Sequence, residues 1–426
     1  MKIIDNSLFF QTGAVQNYPP FMMPFSPEVM FSKPKAALYI HFPFCKNICS
    51  FCKYNRKNLY SSAAEKEYIS ALLKHIQMFS SYSEHDYDIR SIYFGGGTPS
   101  LITDNNLTAI FETLDLHFDL SNVEQISIEA TTVSINEEQV KRLQKFGINR
   151  ISMGLQSTDD TYLKMLHTQG RYRDFLNAYS CCVNNGITNV NVDMMYRLPG
   201  QDTDHWRNTL EAVIGLGVPH ISVYCLALLK GTKLYEQVYG NEFPIPLHDK
   251  YEIEFKKITR EILNSNDYIS NTLDEYSRPG HENLYNKYTL SGATIGIGAG
   301  VSCNSHGYAY DTVADVDQYI HIINSGKLPI KYGLKLTPLR LMSRYMTLFP
   351  YYKVADRVFF KNAFGYEIET VFGEIIDHLL EENYIVITPS GYALTIKGEA
   401  YAPYVSRCFW DAEQKTMAEN LSLLGE

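Results

Sequence analysis

The sequence predicts an α/β fold: a partial (β/α)6 barrel followed by a C-terminal helical domain that carries a winged-helix-like hairpin. Three observations lead there. Over residues 37–250, short β-branched or aromatic runs alternate with stretches of helical spacing, the pattern of parallel strands joined by right-handed crossovers. Nearly every run ends in a polar or glycine-rich signature: HFPFC, FGGGTP, IEATT, MGLQS, VDMMYRLPG and YCLAL. A barrel gathers all its strand C-terminal ends around one mouth, whereas an open doubly wound sheet concentrates its site at one switch point, so these decorated ends favour the barrel. Beyond residue 337, helical stretches lead into YIVITPSGYALTI, two alternating runs joined by a Pro-Ser-Gly turn.

In order along the chain, residues 1–36 hold Pro19, Pro20, Pro24, Pro27 and Pro34 among large apolar residues, which suits an extended lead-in lying on the body of the protein. Strands are predicted at 38–42, 91–94, 125–130, 150–154, 189–194 and 220–225. Helices are predicted at 63–79, 104–116, 136–146, 159–185 with a break, and 202–216. Asp104 and Asn136 suit N-caps, and Gly147, Gly186 and Gly217 follow their helices where a terminal glycine is favoured. Residues 251–330 are mixed and glycine-rich, with GATIGIGAG at 292–300, and are expected to close the barrel and hold substrate or a second cofactor molecule. Residues 331–426 form the C-terminal domain, with a helix at 369–382.

Composition narrows the function. The 426 residues are 45% hydrophobic and 13% aromatic, which excludes a disordered chain. A formal charge of −9 gives no global positive field to gather phosphate backbones, so nucleic acid is not an expected partner. The apolar stretches are strand-length, and MKIIDNSLFF lacks a basic region before a long apolar one, so a cytoplasmic protein without a membrane partner is expected. The cysteines, eight in all, are sparse apart from one tight trio, unlike a secreted disulfide framework.

That trio, Cys45, Cys49 and Cys52, forms C-x3-C-x2-C directly after the first strand. Three thiolates so spaced can bind three irons of a [4Fe–4S] cubane and leave the fourth open. A zinc knuckle or buried thiols are the plainer readings. Structural zinc wants four closed ligands, and the available fourth, His41, lies on the strand and points away from the loop apex.

With this spacing the sequence resembles the radical S-adenosylmethionine (SAM) enzymes. The flanks LYIHFPFCKNICSFC, SIYFGGGTPSLI, ISIEATT, INRISMGLQS, VNVDMMYRLPGQ and ISVYCLAL look like the branch containing oxygen-independent coproporphyrinogen III oxidase. The resemblance covers roughly residues 36 to 310. It implies a cluster on the three cysteines whose open iron is chelated by SAM, and reductive cleavage of SAM to a 5′-deoxyadenosyl radical. It also implies a small-molecule substrate and an electron donor such as flavodoxin or ferredoxin.

The resemblance places SAM contacts at Gly95, Gly96, Gly97 and Thr98, at Glu129, Gln156 and Asp193 on successive strand ends, and at Tyr39, Phe51 and Ala227. A glycine triplet lets a main chain approach a ligand closely, although a tight structural turn would also use it. A carboxylate at the mouth can bind an ammonium or a ribose hydroxyl. The chain departs from the oxidase in three places. Thr168 stands where an arginine for the SAM carboxylate is usual, with Arg171 three residues on. Arg197 replaces a glycine before LPGQ and could supply the missing charge or meet an acidic substrate. Lys53 and Tyr54 follow Cys52, with Tyr54 at the position of a further cysteine.

Residues 278–310 look most like haem-utilisation members of the branch and share much with class C radical SAM methyltransferases. This leads to an expected methylation of an sp2 carbon of a planar substrate such as a tetrapyrrole, using one or two SAM molecules. The alternatives are a coproporphyrinogen III oxidase-like decarboxylase and a non-catalytic haem-binding chaperone, whose H-N-x-x-Y-W element is loosely echoed at 281–288. Cys303 and His306 are expected near the mouth, while Cys181 and Cys182 read as buried helical thiols.

Overall fold

In the computed structural model the described residues are 35–58, 61–83, 87–247, 251–305 and 307–423. Most of the predicted lead-in, and His306, therefore lie outside them. Six parallel strands follow one another: β1 (Lys35–Phe42), β2 (Asp88–Gly96), β3 (Gln125–Ala130), β4 (Arg150–Gln156), β5 (Asn189–Tyr196) and β6 (His220–Cys225). Ala36, Leu38, Ile40 and Phe42 of β1 are all buried, as expected where helices cover one face of a parallel sheet and its own concavity covers the other.

The helices between them are α1 (Ser62–Ser83), α2 (Asp104–His117), α3 (Glu137–Lys145), α4 (Asp160–Met165), α5 (Tyr172–Asn184) and α6 (Thr203–Gly215). Asn136 caps α3 by accepting from the Gln139 amide, as expected. At α2 the N-cap is Thr103 rather than Asp104: the buried Glu65 carboxylate takes the Thr103 amide and hydroxyl, and Asp104 enters the first turn and pairs with Arg142 at 2.7 Å.

The sheet is larger than the sequence suggested. After β6 come α7 (Lys233–Tyr239), α8 (Glu252–Asn264), β7 (Ile269–Ser270), β8 (Glu275–Ser277), α9 (Leu284–Ser291), β9 (Ala293–Ile297), β10 (Ser302–Ser305), β11 (Tyr308–Thr312), α10 (Val316–Asn324) and β12 (Ile330–Lys335). The strand order is β12-β11-β10-β9-β1-β2-β3-β4-β5-β6-β8-β7. ATIGI is thus a seventh parallel strand beside β1, and antiparallel strands extend both edges. The sheet stays open, as a partial barrel must.

The segment before β9 stoppers one end. Gln125, the first residue of β3, donates to the Glu282 carbonyl (2.9 Å) and accepts from the Leu284 amide (3.0 Å). His220, the first residue of β6, meets the His281 carbonyl at 3.0 Å, and Asn283 donates to Glu275 at 3.0 Å. Tyr285 packs on Tyr93 and Tyr39 with centroids 4.8 and 5.8 Å away. Residues 281–291 therefore lie across the strand starts, opposite the cysteine loop.

The C-terminal part comprises α11 (Pro338–Tyr352), β13 (Val354–Asp356), α12 (Arg357–Phe364), α13 (Ile368–Glu381), β14 (Ile385–Ile387), β15 (Gly391–Leu394), α14 (Ile396–Ala400), α15 (Ala402–Cys408) and α16 (Ala412–Leu423). The expected hairpin is present, joined by β13 in the order β13-β15-β14. It has its own core around Phe349, Phe360, Leu379 and Phe409. It docks on α8 through the buried Glu399, which takes Arg260 and lies 3.6 Å from Lys353. Among the described residues no helix is long and apolar enough to cross a membrane.

Candidate cofactor site

The cysteine loop, residues 43–58, leaves the end of β1 and is pinned on several sides. Phe44–Cys45 pairs in parallel with Lys57–Asn58, which closes its base. Buried His41 places Nε2 2.9 Å from the Asn55 carbonyl and Nδ1 3.2 Å from the Tyr39 hydroxyl. The first contact needs an Nε2 proton, so Nδ1 is the acceptor from tyrosine. Burial pushes His41 down to about 4. It is a neutral brace, as its strand position implied, and not a ligand. Asn55 in turn donates to the Ala299 carbonyl at 2.8 Å.

Between these anchors Cys45, Cys49 and Cys52 are free thiols, each partly buried. Burial is the main influence raising all three, Cys49 to about 12, and the Arg56 guanidinium opposes it. The Thr98 hydroxyl reaches Cys45 Sγ at 3.6 Å, which ties the glycine motif to the loop. Among the described residues no three His, Cys, Asp or Glu side chains are gathered closely enough for a single metal ion. Three thiols that each take a different iron of a cubane need not converge on one point. The donor set fits the cluster.

The glycine triplet lies directly on this loop. Gly97 donates to the Phe42 carbonyl (2.7 Å) and Thr98 to that of Phe44 (2.8 Å). A Cβ at Gly97 would stand 2.5 Å from the Phe44 oxygen, and one at Gly95 would stand 2.8 Å from the Tyr39 hydroxyl. Packing against β1 and its loop therefore requires these glycines. Glu129 holds the triplet from the neighbouring strand, accepting from the Gly96 amide and the Tyr93 hydroxyl, both at 3.0 Å.

On the next strand ends, Gln156 (φ 73°) and Arg197 (φ 60°) are left-handed residues other than glycine. Backbone strain of this kind, of order 1–3 kcal/mol each, gathers at functional sites. Asp193 is held by Asn191 at 2.8 Å, within a ladder where Asn191 also donates to Ser152 and accepts from Ser222. Burial and the charge of Glu129 raise Asp193 to about 7. Phe51 packs beside Leu166, Leu198, Leu226 and Leu234, and Ala227 lies in the loop after β6.

Several expectations need correction. Arg197 is bonded within the fold and away from Thr168. Its Nη1 lies 3.1 Å from both Glu252 Oε2 and Cys225 Sγ, and its Nε and Nη2 donate to the Leu247 carbonyl. Arg171 folds back on the Thr168 and Gly170 carbonyls. The glycines of the loop after β9 are accounted for by packing: a Cβ at Gly298 would meet the His41 Cβ at 2.7 Å, and one at Gly300 the Asn55 amide at 2.5 Å. These glycines let the loop seat against the cysteine loop. Cys303 is not at the mouth. It is buried in β10, its Sγ 3.2 Å from the Gly296 amide, and burial raises it to about 12. Cys182 is buried as expected, and Cys181 only half so.

The sequence reading missed Asn55, Arg56, Tyr93 and Arg150. Tyr93 carried a signal, since it alternates inward with the residues of SIYFGGG. Arg150 is 1% exposed and faces Glu129, Asp193 and Glu275, and its Nε and Nη1 lack a hydrogen-bond partner.

Residues 39–213 match the Radical SAM superfamily. The protein named heme chaperone HemW of Lactococcus lactis subsp. lactis (strain IL1403) is 27% identical over 386 residues, 87% of this chain and 95% of that protein. That of Bacillus subtilis (strain 168) is 25% identical over 370 residues, 85% of this chain and 95% of that protein. The solved structure of coproporphyrinogen III oxidase (HemN) from Escherichia coli, described as a radical SAM enzyme, superposes with a TM-score of 0.78 at 19% identity, covering 90% of this chain and 92% of that one. That likeness is one of fold.

Proposed function

We propose that this chain is a radical SAM protein of the coproporphyrinogen III oxidase-like branch and a haem-binding chaperone retaining a [4Fe–4S] cluster and a SAM site. The observation that carries this reading is the match to two proteins named heme chaperones over 95% of their length, which includes the C-terminal part as well as the barrel. The expected methyl transfer is given up. The relatives matched over 95% of their length are named chaperones, not methyltransferases.

Cys45, Cys49 and Cys52 would hold the cluster, with Thr98 and Arg56 beside the thiols. Bound together there, the cluster and SAM supply one-electron chemistry. The barrel wall suits a cationic cofactor. Glu129, Asp193 and Glu275 are buried with Arg150 as the cation acting on all three, so a sulfonium and an ammonium bring charge that the wall lacks. Glu129 keeps the triplet in place, and Tyr39 and Tyr93 line the same wall.

Anaerobic reconstitution followed by haem titration tests the reading. Saturable one-to-one haem binding is expected, with deoxyadenosine at background and no S-adenosylhomocysteine in the presence of haem, SAM and reductant. A methylated or decarboxylated tetrapyrrole formed in step with SAM consumption would overturn it.

A further inference from the structure

The helix α11 closes the open side of the sheet. Just before it the Leu336 amide donates to the Gly307 carbonyl, in the turn between β10 and β11, and just after it Lys353 bonds to Ser270 of β7. These anchors belong to opposite edges of the sheet, so the 15 residues of α11, about 22 Å of helix, cross from one edge to the other. Met342, Met346 and Phe349 occupy one face of the helix and enter the core of the C-terminal part. Arg344, Thr347 and Tyr351, at i, i+3 and i+7, share another face.

On that second face Arg344 Nε, Thr347 Oγ1 and Tyr351 Oη are all buried and without a hydrogen-bond partner among the described residues, as is Ser406 Oγ on α15, which packs against α11. Buried polar groups are paired as a rule, so four such atoms on two packed helices need a further group to meet. Arg344 is also a cation with no ion pair among the described residues: Tyr352 is its hydrogen-bond partner, and burial pushes it down. Solvent still reaches its side chain, as it reaches Tyr351 and Tyr352, so this part of α11 lines a recess rather than the outer surface. The recess reaches the barrel mouth. Asp274 acts electrostatically on Tyr351, and also on Tyr224 at the end of β6 and on Tyr54 of the cysteine loop, which are 36% and 64% exposed. Asp274 itself is held by Lys256 at 2.9 Å, so it does not compensate Arg344.

We propose that Arg344, with the Tyr351 hydroxyl, binds a carboxylate of the planar ligand, the propionate side chain of a tetrapyrrole. The inference rests on the haem-chaperone reading and names the part of the ligand that α11 recognises. Each of the four orphaned atoms can donate a hydrogen bond and the guanidinium adds a charge, a set that suits a carboxylate held by charge-assisted hydrogen bonds. The barrel wall is of opposite sign, with Glu129, Asp193 and Glu275 buried in it. A ligand carboxylate is therefore repelled by the wall and attracted at α11, which orients the ring with its acidic edge on the helix.

The test compares haem with haem dimethyl ester, in which both propionates lose their charge, by Soret titration of the full reconstituted chain. Wild type is expected to bind haem at least tenfold more tightly than the ester. In Arg344→Leu, haem is expected to bind at least tenfold more weakly than in wild type while the ester changes less than twofold, so the preference disappears. If the leucine variant loses its cooperative urea transition, Arg344→Gln, which keeps a donor without the charge, carries the same expectation, and the wild-type comparison needs no variant. Lys327→Gln, at an exposed lysine on another element, should keep the wild-type preference. Equal affinity of wild type for haem and ester, or a preference that survives in the Arg344 variants, would overturn the proposal while leaving a haem chaperone. Binding of neither compound by wild type would instead overturn the chaperone reading itself.

Discussion

Replacing Arg197 by glycine should destabilise the chain and leave SAM affinity unchanged. The guanidinium and the Glu252 carboxylate meet at 3.1 Å with side chains only 9% and 18% exposed. Breaking a buried ion pair by removing one partner costs about 3–5 kcal/mol, because the other charge stays buried. Two features reduce that figure here. Glu252 keeps the field of Lys256 and the Tyr196 hydroxyl at 3.3 Å. Glycine also relieves the left-handed backbone at φ 60°, worth about 1–2 kcal/mol. The net loss should be about 2–3 kcal/mol, read as a lower urea midpoint of the cluster-free protein. Adding Glu252→Gln should recover part of it, since no uncompensated carboxylate then remains. A tenfold weaker SAM complex with an unchanged midpoint would refute the reasoning and put Arg197 on the cofactor.

Alanine at Cys45, Cys49 or Cys52 should abolish the anaerobic iron-sulfur chromophore, whereas Cys303→Ser should keep it; full iron loading in Cys45→Ala would count against the cluster ligands. Burial and Glu129 raise Asp193 from 3.8 to about 7, so the folded chain holds a proton there that the unfolded chain has released. The slope is therefore negative: that contribution to stability is lost as pH rises toward 7, and cluster-free Asp193→Asn should show a flatter urea midpoint between pH 5 and 8 than wild type, an identical slope speaking against the placement. Gly298→Ala sets a Cβ against His41 at φ 130° and should cost about 2 kcal/mol or more through overpacking and backbone strain, with reduced iron loading as the brace on Asn55 shifts; wild-type stability and loading would exclude that packing.

The six parallel strands were legible because a strand buried on both faces must be a short, nearly continuous apolar run, and its polar end marks where the run meets the mouth. What periodicity does not carry is the identity of a partner. Nothing local to Ala293–Ile297 says that it pairs with Lys35–Phe42, so the seventh parallel strand and the burial of Cys303 behind it were missed. The glycines at 298 and 300 misled for a related reason. A missing side chain looks the same in sequence whether a ligand or a neighbouring main chain takes its space. Arg197 directly follows β5, but its partner Glu252 comes 55 residues later on α8, in a stretch with no motif of its own.

The two ends of the sheet do different work, and the departures from the oxidase pattern sort accordingly. The strand starts carry Gln125, Arg150 and His220, which hold the stopper at 281–291 or sit beside it, whereas the cysteine loop lies at the strand ends. Thr168, Arg197 and Tyr54 all lie at that end. Thr168 bonds within its own loop, Arg197 is bonded to the Leu247 carbonyl and to Glu252, and Tyr54 feels the charges of Glu129 and Asp193. Glu129 and Tyr93 hold the triplet, and Thr98 ties it to Cys45. The thiols and the glycine triplet are thus held by bonds that do not depend on the residues at 168 and 197, as the proposed chaperone reading with a retained cluster and SAM site requires.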